Sequence, residues 1–138
     1  AYRIKIPPAR IIYMPDFKYS NPAPARRYSK APDYPDIVKE VLKEMHRQVG
    51  ILKMDNRGIA YRGLLIRHLV MPEGLSGTRD AMEFIAQELS PDTYVNIMDQ
   101  YMPCYRAFDY PEIARRITRE EYEEAVRLAR EAGLHRGF

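Results

Sequence analysis

The chain has 138 residues, 46% of them hydrophobic and 30% charged, a balance typical of a globular, water-soluble domain. No stretch approaches the roughly 20 apolar residues of a transmembrane helix, and the first six residues lack the apolar core of a signal peptide. The single cysteine, Cys104, excludes an intrachain disulfide framework. The net charge of +3 is spread among interspersed acids and bases, which disfavours a nucleic-acid partner. We therefore expect a cytoplasmic protein without membrane association.

The first predicted element is a short β-strand at residues 10–14, a β-branched and aromatic run ended by Pro15. A proline-rich stretch follows at residues 21–35, and no element is predicted there. The first helix should begin at Pro35 or Asp36 and end at Gly50, because proline suits a first helical turn and glycine a C-terminal cap. Its apolar positions fall on one helical face: Ile37, Val38, Val41, Leu42, Met45 and Val49.

A β-hairpin is predicted at residues 51–62, where Asp55, Asn56 and Gly58 supply turn chemistry between two strand-like runs. The second core strand is the apolar run at residues 64–70. A second helix should begin at Ser76 or Thr78. It turns four apolar residues inward: Ala81, Phe84, Ile85 and Leu89.

The last predicted strand covers residues 94–98, and a loop rich in tyrosine and proline follows it. Thr118 and Glu121 have the spacing of a capping box, which predicts the start of the last helix. Gly133 should end that helix.

Strands that alternate with helices predict an α/β fold with parallel strands, built as a single domain over residues 1–138. A doubly wound sheet and a segment of a barrel both fit this order. A complete eight-fold barrel needs about 250 residues, which excludes it here. The strand at 64–70 is nearly all apolar and is expected to be covered on both faces. Three parallel strands with two open edges would leave backbone groups unpaired, so we expect an incomplete fold that associates with itself.

Polar residues occur at the ends of all three predicted core strands, where α/β folds bind their ligands. They are Asp16 and Lys18, then Arg67 and His68, then Asp99, Gln100 and Tyr101. Strand alternation directs Arg67 and His68 to opposite faces of the sheet. An interior arginine needs a carboxylate partner, which could belong to a ligand or to the protein. An ion pair of Arg67 with Asp16 or Asp99 that only fills the interior therefore stays open as an alternative.

Other candidates have simpler interpretations. His68 is interpreted as an interior histidine with satisfied hydrogen bonds rather than as a ligand. Cys104 stands alone in a loop without a His-Asp partner at a useful spacing, so it is not expected to be a nucleophile. Tyr101, Tyr105 and Tyr110 either line a substrate groove or form packed surface.

Three motifs together resemble a known family. Residues 13–19 (YMPDFKY), 65–72 (LIRHLVMP) and 95–101 (VNIMDQY) are similar to the last three strand motifs of radical S-adenosylmethionine (SAM) proteins related to pyruvate formate-lyase activating enzyme. The resemblance runs from about residue 11 to the end of the chain, and residues 1–10 do not share it.

The resemblance implies the C-terminal half of a partial (β/α)6 barrel, similar to a TIM barrel, around SAM and a [4Fe–4S] cluster. It assigns SAM contacts to Asp16 and Lys18 after the first strand and to Arg67 in the next. The loop after the last strand supplies a further contact, where Tyr101 stands at the position of a histidine in the activating enzyme and Gln100 is adjacent to it.

The family's cluster needs a Cys-x-x-x-Cys-x-x-Cys loop, which one cysteine cannot provide. We therefore expect a radical SAM oxidoreductase whose cluster lies in a missing N-terminal half or a separately encoded part. This chain alone should be inactive and hold no cluster. The implied substrate is a protein, such as a glycyl radical enzyme, or a small molecule. Two other functions stay open: a non-catalytic interaction domain that uses open sheet edges and Tyr-rich loops, and a basic nucleic-acid-binding module.

Overall fold

The computed structural model describes residues 10–138, which form an α/β fold around a mostly parallel, open sheet. Its strands are β1 (Ile12–Tyr13), β2 (Lys53–Met54), β3 (Ala60–Leu69) and β4 (Tyr94–Met98). The longest strand, β3, pairs in parallel with β1 and with β4, and its first residues pair antiparallel with β2. The three parallel strands therefore neighbour one another in chain order, and the predicted parallel α/β arrangement is confirmed.

Four α-helices accompany the sheet: α1 (Pro22–Ser29), α2 (Tyr34–Val49), α3 (Thr78–Phe84) and α4 (Arg119–Glu131). A π-helical turn, Ile85–Leu89, continues α3, and short 3₁₀ turns occur at Pro72–Gly74, Tyr105–Asp109 and Pro111–Ile113. The three predicted helices are thus confirmed. The capping box at the start of α4 is also present, with Glu121 N donating to Thr118 Oγ1 and Thr118 N donating to the Glu121 carboxylate.

Helix α1 lies in the proline-rich stretch for which no regular structure was predicted. Its prolines, Pro22 and Pro24, both fall in the first turn of the helix. The first N–H groups of a helix have no partner within the helix, so proline loses nothing there. The position of the prolines, rather than their number, therefore allows this segment to be helical.

The predicted hairpin at residues 51–62 is present, and its second arm runs without interruption into β3. The Asp55 carboxylate closes the turn by accepting hydrogen bonds from the backbone N–H groups of Arg57 and Ile59, at 2.8 and 3.0 Å. The hairpin arm and the second core strand, predicted separately, are therefore one strand of ten residues.

The main core lies on one face of the sheet, between the strands and helices α2, α3 and α4. Leu64, Ile66 and Val95 are fully buried there against residues such as Leu42 and Ile85. The alternate residues of β3 are only half-buried. The prediction that this strand is covered on both faces was wrong. Helices cover the main-core face, but within residues 10–138 no helix packs over the opposite face. We call this second surface the open face.

The edges of the sheet are also only partly open. Val95 N in β4 donates a hydrogen bond to Arg136 O, so the C-terminal segment pairs with the outer edge of this strand at one point. Separately, none of the helices formed by residues 10–138 combines the length and apolarity that a membrane span would require.

Candidate functional site

The structure brings two of the predicted site residues together. Beyond β1 the chain stays beside β3: Arg67 N donates to Pro15 O at 2.9 Å, and Phe17 N donates to Arg67 O at 2.8 Å. Asp16 is therefore paired across from Arg67 in a parallel bridge. The Arg67 Nε–H donates to Asp16 Oδ1 at 2.7 Å. The register of the two strands thus sets this ion pair.

The ion pair lies on the open face rather than in the interior. The Arg67 side chain is 36% exposed and that of Asp16 is 31% exposed. The expectation of an interior guanidinium was wrong, because the helices that bury the neighbouring residues of β3 cover the other face. Within residues 10–138, only the Nε–H of the Arg67 guanidinium has a hydrogen-bond partner. Its two terminal amino groups remain available to an additional acceptor.

The hydroxyl of Tyr34 fixes the backbone on either side of Phe17. It donates to Asp16 O and accepts from Lys18 N, each at 3.0 Å. Burial of the ring raises the pKa of Tyr34 above its ordinary value, so the hydroxyl stays protonated as a donor. The Lys18 side chain is exposed. Sequence reasoning missed Tyr34, since nothing in the pattern at the start of α2 indicates a contact with the loop after β1.

His68 points to the opposite face from Arg67, as strand alternation predicted. It is fully buried, with Nδ1 at 2.7 Å from Phe17 O and Nε2 at 2.9 Å from Thr78 Oγ1. A carbonyl oxygen only accepts, so Nδ1 carries the proton and Nε2 accepts from the threonine hydroxyl. Burial lowers the pKa of His68 to about 4. His68 therefore supports the loop after β1 from the core side as a neutral imidazole.

Gln100 and Tyr101, the other two residues predicted to bind the cofactor, form no hydrogen bond with Asp16 or Arg67. Gln100 is exposed after β4. The Tyr101 hydroxyl donates to Ile113 O at 2.8 Å, and its ring packs in a second cluster with Tyr19 and Met71. Cys104 is an exposed free thiol. Tyr101 thus anchors the loop after β4, and its hydroxyl is already used by the protein.

Residues 10–138 contain no group of three or more His, Cys, Asp or Glu side chains arranged to hold a metal ion. The chemistry that the Asp16–Arg67 pair offers is recognition: a cation with two unsatisfied amino groups beside a carboxylate complements a ligand that carries both charges. Among the hydrogen bonds that the described part of the chain forms around this pair, none joins a nucleophile to a base.

No family model matches the chain, and no solved structure matches it. It is 38% identical over 124 residues to an uncharacterized protein of Methanocaldococcus jannaschii. The aligned part covers 89% of this chain and 32% of that protein, so the chain spans about a third of the length of the curated relative it matches.

Proposed function

We propose that this chain is the C-terminal part of a radical SAM enzyme related to pyruvate formate-lyase activating enzyme, and that it contributes SAM-binding residues. The strand order supports the barrel part of this proposal. In a barrel, successive parallel strands neighbour one another and the helices form one outer layer, whereas a doubly wound sheet carries helices on both faces. Here β1, β3 and β4 are neighbours in chain order, and the main core lies on one face.

The observation that carries the proposal is the Asp16–Arg67 pair on the open face, which would be the interior of a closed barrel. The methionine end of SAM bears a carboxylate, an ammonium group and a sulfonium. The terminal amino groups of Arg67, which have no hydrogen-bond partner among residues 10–138, suit the carboxylate, and Asp16 suits a positive group. Lys18, exposed two residues further along, adds a second cation at the same strand end.

The cluster does not fit this chain, because Cys104 is the only cysteine in the sequence. The proposal therefore locates the cluster in another part of the parent enzyme. About two thirds of the M. jannaschii protein lies outside the aligned part, which leaves length for such a part in a related chain. That part would supply the radical chemistry of the parent enzyme. The residues of this chain bind and orient SAM.

A second candidate is an interaction domain without catalysis. The loop after β4 favours it, because Met102 and Phe108 are 57% and 63% exposed and Tyr105 is 86% exposed. Large apolar side chains grouped on one loop are typical of a contact surface. The two candidates differ in where a ligand acts, since SAM should perturb the open face and a protein partner the loop.

The test is a titration of the ¹⁵N-labelled chain with SAM, followed by amide chemical shifts. We expect concentration-dependent shifts at Asp16, Lys18 and Arg67. Arg67→Ala should weaken binding by about 1.5 kcal/mol, roughly tenfold, the value of one hydrogen bond to a charged group. The matched control is Arg62→Ala, which removes an arginine from the other end of β3, where its guanidinium binds Gln48 O.

Two results would contradict the proposal. One is an unchanged spectrum near β1 and β3 at millimolar SAM. The other is an equal loss of affinity in the Arg67→Ala and Arg62→Ala variants. Shifts confined to the loop after β4 on addition of a protein partner would favour the interaction domain instead.

A further inference from the structure

A cavity of about 280 Å³ lies close to the Asp16–Arg67 pair. Its lining includes Tyr101, to which the resemblance assigns a SAM contact, but not Asp16, Lys18 or Arg67. Its walls come from the segments that follow all three parallel strands, with Tyr19 after β1, Met71 after β3, and Tyr101 and Tyr110 after β4. It therefore lies at the carboxyl end of the strands, where α/β folds bind ligands. We call it the tyrosine cavity.

The tyrosine cavity offers ring surfaces more than hydroxyl groups. Tyr19 OH is paired with Ser29 Oγ at 3.1 Å, and Tyr28 OH donates to Glu112 Oε1 at 2.6 Å. The Tyr101 hydroxyl is used by Ile113 O. Three of the five tyrosine hydroxyls in the lining thus have protein partners, whereas those of Tyr105 and Tyr110 form no hydrogen bond among residues 10–138. A ligand therefore meets mainly aromatic ring surface, with at most two hydroxyls left to bind it.

The charged side chains that line the tyrosine cavity are all cations: Arg27, Lys30 and Arg106. Arg27 forms an ion pair with Glu112 at 2.9 Å, and Arg106 lies 3.5 Å from Asp109. Lys30 has no ion pair among residues 10–138. The cationic side chains therefore attract a negative group, and the tyrosine rings attract an aromatic ring.

The walls are held in place before any ligand arrives. The Arg27 guanidinium lies over the Tyr110 ring, with Cζ 5.1 Å from the centroid, and Tyr28 meets Tyr110 edge to face at 5.2 Å. The same Glu112 carboxylate accepts from Arg27 and Tyr28, which joins α1 to the 3₁₀ turn at Pro111–Ile113. Such preorganisation reduces the entropy lost on binding.

We propose that the tyrosine cavity is a binding site for a small planar aromatic anion, with the ring between the tyrosines and the negative group at Lys30 and Arg106. Its volume lies at the low end for ligand pockets and suits a group of one or two rings. The charge pattern accommodates a carboxylate or a phosphate.

The position of the cavity suggests the role of this ligand. The Tyr19 ring packs against Tyr34 with centroids 6.0 Å apart, and the Tyr34 hydroxyl binds Asp16 O. One side chain thus separates the cavity wall from the backbone of the candidate SAM site. The role of the bound anion as substrate of the parent enzyme rests on the proposed function. The binding of the anion to the cavity does not.

The test measures dissociation constants for the full chain by amide chemical shifts with four probes: 2-naphthoate, 2-naphthyl phosphate, neutral 2-naphthol and non-aromatic cyclohexanecarboxylate. We expect at least one naphthyl anion to bind about threefold or more tightly than 2-naphthol, the gain typical of an exposed charge pair. Cyclohexanecarboxylate should bind most weakly. The stronger of the two naphthyl anions identifies the class of acidic group.

The double substitution Lys30→Gln and Arg106→Gln should abolish the preference for the anions over 2-naphthol. Lys53→Gln is the matched control, because Lys53 is exposed on β2 at the other end of β3. Tyr110→Leu should weaken all naphthyl probes, and its folding is checked by the unchanged amide spectrum of β3 and β4.

Equal affinity for 2-naphthol and both naphthyl anions would overturn the inference, as would an anion preference that survives the double substitution. Absence of binding by every naphthyl probe would also overturn it. The SAM titration is a separate measurement on other residues. If SAM binds and the naphthyl anions do not, only the cavity inference fails; the reverse result refutes only the SAM site.

Discussion

The buried His68 makes the stability of the fold depend on pH in the mildly acidic range. Burial lowers the pKa of His68 from 6.5 to about 4. Between these pH values the imidazole is protonated in the unfolded chain and neutral in the folded chain. Stability is therefore fully present above pH 6.5 and falls as the pH falls towards 4. The complete shift corresponds to about 3 kcal/mol, of which about 2 kcal/mol should be lost between pH 7 and pH 5.

The assay is urea unfolding at several pH values between 7 and 5, with His68→Gln as the comparison. Glutamine can donate to Phe17 O and accept from Thr78 Oγ1, so it keeps both hydrogen bonds without a titrating group. His46 and His135 remain in the variant, and their contributions cancel when the two pH slopes are subtracted. The wild-type chain should lose about 2 kcal/mol more than the variant. Equal losses in the two proteins would refute the assignment of a neutral, desolvated imidazole.

Two further predictions concern the sheet. Gly63→Ala should destabilise the fold by about 3 kcal/mol in urea unfolding, because its φ is +117° and a Cβ would lie 2.6 Å from Leu52 Cα and press on Ile51 O. Gly58→Ala, at φ +78° with open space around it, should cost clearly less, and equal costs would contradict the steric argument. The chain should also associate with itself through the open face, where Met14 is 56% exposed. Sedimentation should then show a molecular mass that rises with protein concentration. Met14→Glu should reduce this rise, whereas Met102→Glu, on the loop after β4, should not change it. A monomer at every concentration would contradict the prediction.

The sequence predicted those elements whose signals are local. The capping box at Thr118, the glycine after α2 at Gly50 and the turn at Asp55 each specify a boundary through backbone chemistry, and the structure has all three. Helix α1 was not predicted. Its prolines lie in its first turn, so the position of proline, and not its presence, decides whether a helix forms.

The candidate site was predictable only where alternation along a strand determines it. The opposite directions of Arg67 and His68 follow from a period of two, and the pairing of Arg67 with Asp16 was one of the stated alternatives. Which face the helices would cover does not follow from alternation, since both faces of β3 carry leucine or isoleucine. The hydroxyl of Tyr34 joins segments that only the folded chain brings together, and no local pattern reports it.

The open face connects the architecture with the proposed function. A sheet surface that faces water normally alternates to polar residues, yet Leu65 and Leu69 flank Arg67 on this surface and Met14 lies beyond it. Apolar residues on this surface favour its burial by another part of the protein. That part would also surround the Asp16–Arg67 pair and remove it from water. An ion pair enclosed in this way becomes a stronger recognition element for a charged ligand, because the local dielectric falls. The other half of the proposed barrel would therefore complete the core and strengthen the binding site through one contact surface, the open face.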